Sequence, residues 1–104
     1  MNTEFWSPEE YDGQAQRRYE AGEYDAALEI LQEGSSLYPT AVELRVSLGY
    51  TQMAREEFVR ARSAFAEALV LEPDHEDGLA GMGESHLRLG ERARALAAFE
   101  RVVE

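Results

Sequence analysis

The residues first able to do chemistry are two histidines, His75 and His86, the side chains suited to metal ligation or proton transfer near neutral pH. They fall on one predicted helix and would share a face. Eleven residues of separation at 1.5 Å rise put them ~16 Å apart, too far to hold a single metal ion. His75 reads as a solvent-facing residue beside a helix start, and His86 as a structural residue. The serines at positions 7, 35, 36, 47, 63 and 85 include no Gly-x-Ser-x-Gly elbow that would expose a nucleophile. Cysteine is absent, which excludes thiolate catalysis, disulfides and Cys-zinc sites and agrees with a reducing compartment. The stretch Gly78-Leu79-Ala80-Gly81-Met82-Gly83 has the glycines of a phosphate cradle. No strand precedes it, however, and the chain contains no lysine. Read as helix, it uses Gly83 for close packing, while Gly78 and Gly81 loosen it by roughly 1 kcal/mol each. The acidic groups Glu9, Glu10, Asp12 and Glu72, Asp74, Glu76, Asp77 lack the spacing of a calcium loop and read as solvated helix caps. No catalytic residue, metal site or cofactor is expected, and the chain is not expected to be an enzyme.

Composition narrows the remaining classes. A chain of 104 residues is one domain by size, and 44% hydrophobic residues make it too apolar for outright disorder. Its net charge of −11 argues against nucleic acid and against an anionic membrane, both of which need clustered cations. The acidity is uneven: residues 1–44 carry −8, residues 45–104 only −3. The opening residues have neither a basic region nor an apolar core of the signal-peptide kind, and no apolar run reaches the ~18 residues of a membrane span. A cytoplasmic location is the expectation.

What must position any site is a repeat. Ala27, Ala61 and Ala95 recur at intervals of 34, as do Leu31, Phe65 and Phe99, Pro39 and Pro73, and Tyr24 and Phe58. Gly22 and Gly90 lie twice that period apart, with Glu56 in the slot between. Three units therefore cover about 8–41, 42–75 and 76–104, after a lead-in and cap at 1–7. Within 58–71, Phe58, Ala61, Phe65, Ala68, Leu69 and Leu71 keep helical spacing. Ser7-Pro8-Glu9-Glu10 forms a capping box with Pro at the first helical position, flanked by Trp6 and Tyr11 as a hydrophobic staple. Thr40…Glu43 and Asp74…Asp77 repeat that logic more weakly, each after a helix-ending proline. Six helices are predicted, at about 8–21, 24–37, 41–54, 58–71, 75–88 and 92–104. The small alanines allow the two helices of one pair to approach, and Leu31, Phe65 and Phe99 fill the space between pairs.

These columns resemble the tetratricopeptide repeat, a 34-residue helix–turn–helix with Leu-Gly in its first helix, Ala-x-x-x-Phe in its second, and a following Pro. Leu48-Gly49, Phe58, Ala61, Phe65, Ala68 and Pro73 carry the match best. The first unit holds Gln14-Ala15 where Leu-Gly is expected. The family's early tryptophan is replaced by Tyr11, Arg45 and Leu79, and a later tyrosine by Arg18, Gln52 and His86. The resemblance implies an all-α right-handed solenoid of three helix pairs that binds a protein or peptide segment along its concave wall.

By that geometry the inward positions are Glu9, Asp12, Gln16, Tyr19 and Glu20; Glu43, Val46, Tyr50 and Met53; Asp77, Ala80, Glu84, Leu87 and Arg88. The groove is expected to have an apolar, aromatic centre of Tyr19, Val46, Tyr50, Met53 and Leu87. Its acidic rim (Asp12, Glu43, Asp77, Glu84) would select a basic partner carrying apolar anchors. Chaperone-binding members grip a C-terminal carboxylate with Lys, Asn and Arg. The corresponding positions here are Asp12, Gln16, Ser47, Asp77 and Gly81, so acidic chaperone tails are not expected to bind. The alternative is a self-assembling module, a homodimer joined through Leu96, Phe99, Val102 and Val103 on the last helix.

Overall fold

The computed structural model describes residues 5–103. Six α-helices follow one another: α1 (Pro8–Glu20), α2 (Tyr24–Leu37), α3 (Val42–Ala54), α4 (Phe58–Leu71), α5 (Glu76–Arg88) and α6 (Arg92–Val102). No strand occurs among the described residues, and the result is an all-α right-handed solenoid of three helix pairs. Consecutive helices pack side by side, and α1 touches α3 as α3 touches α5, whereas α2, α4 and α6 make no contact with one another. The odd-numbered helices therefore crowd along one edge and the even-numbered ones fan out on the other. That inequality bends the stack, 51 Å long, into an inner and an outer wall.

The recurring columns explain the packing. Ala27, Ala61 and Ala95 are each buried to 1% exposure or less, where the two helices of a pair meet. Phe65 is fully buried, with its ring lodged against Gly49 of α3 and Gly81 of α5. A Cβ at either glycine would lie 2.7 or 2.3 Å from ring carbons, so only glycine fits there. This corrects the reading of Gly81 as a loosening residue: it is a socket for Phe65, as Gly83 is for Phe99. Gly78 is likewise buried, with Leu69 3.2 Å from where its Cβ would be. Tyr11, Ala15, Ala27, Leu31 and Leu44 form a second buried cluster between α1, α2 and α3. Burial and a hydrogen bond to Glu33 push the Tyr11 phenol up to about 12.

Each helix pair turns through a left-handed residue, Gly22 (φ 78°), Glu56 (φ 62°) and Gly90 (φ 79°). The amide after it closes onto the carbonyl five residues back: Glu23 to Arg18, Glu57 to Gln52, Glu91 to His86, all at 2.8–2.9 Å. The side chains follow the same column, with Arg18–Glu23 2.9 Å apart and His86 Nδ1 2.6 Å from Glu91. The hydrogen bond from His86 holds the Glu91 carboxyl below the usual carboxylate range.

The capping box at Ser7 and Glu10 forms in both directions, at 2.8 and 3.1 Å, and Trp6 packs edge-on against Tyr11 with centroids 5.1 Å apart. The next two entries differ from expectation. After Pro39 and Pro73 the turn closes one residue later, with Ala41 and His75 donating to Tyr38 and Glu72. Ala41 and His75 therefore occupy the N-caps, not Thr40 and Asp74. His75 is correspondingly not solvent-facing. Its side chain is 11% exposed, and its Nδ1 accepts the Gly78 amide at 3.0 Å while Nε2 meets Glu43 at 2.9 Å. The final helix ends at Val102, so Val103 is its C-cap and not part of the helix. Residues 1–4 of the lead-in and Glu104 lie outside the described residues. No helix among the described residues is long and apolar enough to cross a membrane.

Candidate functional site

The inner wall is built on α1, α3 and α5, and α3 is the helix to which both neighbours are tied. Ser47 Oγ donates to Asp12 Oδ1 at 2.6 Å, joining α3 to α1. Tyr50 donates its phenol proton to the Asp77 carbonyl at 2.9 Å, joining α3 to α5. Glu43 and His75 add a third link at the entrance of α5. The Tyr50 ring stands edge-on to Phe65 with centroids 4.9 Å apart, which couples the groove to the core directly beneath it. Burial, and then the carboxylates of Asp77 and Glu84, raise the Tyr50 phenol above its ordinary value, so it stays a neutral donor at physiological pH.

Tyr19, Tyr50 and Met53 are half-buried, and Leu87 is 46% exposed. Tyr19 packs edge-on against Tyr24 at 5.2 Å, and the Met53 sulfur lies 3.4 Å from Ser85 Oγ. Asp12 and Glu84 are half-buried, whereas Gln16, Glu43 and Asp77 are exposed. Arg88, the inward-facing cation, is engaged by Glu84 at 3.2 Å and by the Phe58 ring at 5.5 Å. One residue assigned to the groove does not belong there. Val46 is 5% exposed and packs with Val42, Ala61, Phe65 and Ala68 in the core, and Tyr50 and Met53, on the same stripe of α3, pack only partly buried against that cluster.

Between α1 and α3 the wall opens into a cleft of about 230 Å3. Besides Asp12, Gln16, Tyr19, Ser47 and Tyr50, it is lined by Ala15, Leu31 and Thr51, three residues that the sequence reading left out. A signal for Thr51 existed: it stands 34 residues before Ser85, and both are buried hydroxyls that donate to the carbonyl four residues back, Ser47 and Gly81. Among the described residues no three carboxylate or imidazole groups converge as metal ligands would. On the last helix, Leu96 is 59% and Val103 85% exposed, while Phe99 and Val102 are half-buried.

The family model described as tetratricopeptide repeat matches residues 13–77, and a second of the same description matches residues 79–104. The chain belongs to the tetratricopeptide repeat family. No curated protein matches it. Among solved structures, the second tetratricopeptide repeat domain of Spaghetti (RPAP3), bound to the HSP90 peptide SRMEEVD, superposes with a TM-score of 0.90 at 18% identity. That alignment covers 93% of this chain and 90% of that one. The first such domain of human RPAP3 gives 0.90 at 19% identity, covering 92% and 76%. MamA gives 0.87 at 21% identity over 93% of this chain, which spans 57% of MamA. Identities this low speak for the fold alone. The tetratricopeptide repeat is a protein-interaction fold, not a catalytic one.

Proposed function

We propose that the concave wall holds an extended or helical segment of a partner protein, gripped at apolar anchors by Tyr19, Tyr50, Met53 and Leu87. Asp12, Glu43, Asp77 and Glu84 select that segment for positive charge and speed its encounter. One observation supports this reading: the inner helices carry accessible aromatic and aliphatic side chains, Tyr19, Tyr50, Met53 and Leu87, among the carboxylates of Asp12, Glu43, Asp77 and Glu84. Tyrosine and methionine supply large contact area that adapts to its occupant. The residue types at the clamp-equivalent positions favour rejection of acidic tails, because Asp12 and Asp77 stand where a carboxylate-gripping groove needs cations. The protein is not an enzyme in this reading, and its partner is neither nucleic acid nor membrane.

Two experiments test it. Affinity capture with the wild type, Tyr50→Ala/Met53→Ala and Leu87→Asp should lose the same partner bands in both variants. Leu87 is exposed enough that its variant keeps the fold, so retention by Leu87→Asp would overturn the assignment. Calorimetric titration with the peptide SRMEEVD should show no binding, and a micromolar complex would overturn the charge argument.

A second reading, self-association through α6, has its own supporting observation. Leu96 occupies the column of Leu28 and Phe99 that of Leu31 and Phe65, and those counterparts are 9% exposed or less. At the opposite end, the two columns that hold Leu44 and Leu48 in the second unit carry Glu10 and Gln14. Head-to-tail stacking would press apolar against polar surface, so the pairing in this reading is a symmetric dimer through Leu96, Phe99, Val102 and Val103. Light scattering should then give twice the monomer mass, reduced to the monomer by Leu96→Asp, and a concentration-independent monomer overturns it.

A further inference from the structure

The cleft between α1 and α3 has a composition that the groove as a whole does not. Its polar lining is rich in acceptors. Asp12 uses one carboxylate oxygen to accept from Ser47, which orients the group and leaves lone pairs free. Gln16 donates its amide nitrogen to Glu20 at 3.1 Å, which leaves its carbonyl oxygen as an acceptor. No cation pairs with Asp12 among the described residues, and no arginine lines the cleft. An aromatic ring comes from each wall, Tyr19 from α1 and Tyr50 from α3, and each is braced from behind by another ring. Beneath them lie Ala15 and Leu31, an apolar floor. At about 230 Å3 the space suits one side chain and falls short of a drug-sized ligand.

We propose that this cleft is a receptor for a single arginine side chain of the partner segment. The guanidinium takes the Asp12 carboxylate and the tyrosine faces, and the methylene stem lies along the half-buried rings of Tyr19 and Tyr50. A planar, weakly hydrated cation with forked donors meets a carboxylate and an aromatic face together. The compact, strongly hydrated lysine ammonium gives up more on leaving water. The Asp77 and Glu84 carboxylates, which add to burial in raising the Tyr50 phenol, act in the same direction. This inference rests on the concave wall being the binding face and adds which side chain it reads, and where.

The test is an amide-resolved NMR titration of the full chain with N-acetyl-arginine amide, alongside its neutral isostere N-acetyl-citrulline amide and N-acetyl-lysine amide. The arginine probe should give saturable shifts, in the millimolar range, clustered on Asp12, Gln16, Tyr19, Ser47, Tyr50 and Thr51. Citrulline should bind at least tenfold more weakly, and lysine more weakly than arginine. Asp12→Asn keeps an acceptor for Ser47 and should erase the preference for arginine over citrulline while leaving the thermal midpoint near that of the wild type. Equal shifts from arginine and citrulline, equal binding of lysine, or a preference that survives in Asp12→Asn each overturn the assignment. If it falls while Leu87→Asp and Tyr50→Ala/Met53→Ala still lose the partner, the groove stands without an arginine pocket. If partner capture also survives those variants, the groove falls with it.

Discussion

Two side chains sit in states their neighbours impose, and each leads to a measurement. Glu56 carries the left-handed conformation that Gly22 and Gly90 adopt in the other two turns, and a Cβ makes that conformation costly. Glu56→Gly should therefore stabilise the protein by about 1 kcal/mol, read as an upward shift of the urea midpoint at constant slope. Tyr11 is the other case. Its phenol titrates at about 12 when folded, against 10.0 for the free side chain. Between those values the native state keeps a proton that the unfolded chain has released, so stability declines as pH rises through this window. Two pH units correspond to roughly 2–3 kcal/mol. Tyr11→Phe should flatten the alkaline limb of the stability curve. An unchanged slope between pH 10 and 12 would show that Tyr11 does not control it.

Helices obey the same logic through their repeat columns. Gly13 and Gly81 occupy one column, two periods apart, yet their surroundings are opposite. A Cβ on Gly13 meets nothing within 4 Å, whereas one on Gly81 lands 2.3 Å from Phe65. Gly13→Ala should stabilise by about 1 kcal/mol through helix propensity alone. Gly81→Ala should destabilise by about 1–3 kcal/mol through overpacking, with part of the loss restored by Phe65→Leu. Thermal melts of the two single mutants and the double mutant decide it. Phe65→Ala, which empties the socket, should cost roughly 3–5 kcal/mol. These columns were also what made the fold readable in advance. Side-chain size repeating every 34 residues placed α2 and α4 to the residue, because neighbours in a stack impose the same volume at the same height. The caps were less legible, since a turn after proline can close one residue earlier or later and only backbone geometry decides. Val46 and Gly81 were misread for a related reason. Periodicity states which face is apolar, but not how deep a position lies or which ring fills the space opposite a glycine.

At the scale of the whole molecule, the helices are unequally supported. α3 is packed by α1, α2, α4 and α5, whereas α6 leans on α5 alone. Amide hydrogen exchange should be slowest in α3 and α4 and fastest in α6, with α5 between them. Uniform protection would mean that the stack opens only as a unit. The legibility of the groove follows the same division. The exposure of positions such as Leu87 and Glu43 was readable from helical phase. The cleft between α1 and α3 was not, because Ala15, Leu31 and Thr51 become its floor and side only once two helices set their spacing.

Among the described residues, three of the side-chain bridges that cross the inner wall, Ser47 to Asp12, Tyr50 to Asp77 and Glu43 to His75, all have an end on the middle helix. The curvature of the trough is thus governed by one rod held from both flanks. Whatever seats itself beside Asp12 and loosens the first bridge alters the footing of the other two. Under the proposed reading, two contacts made far apart along one bound strand should then have free energies that do not simply add.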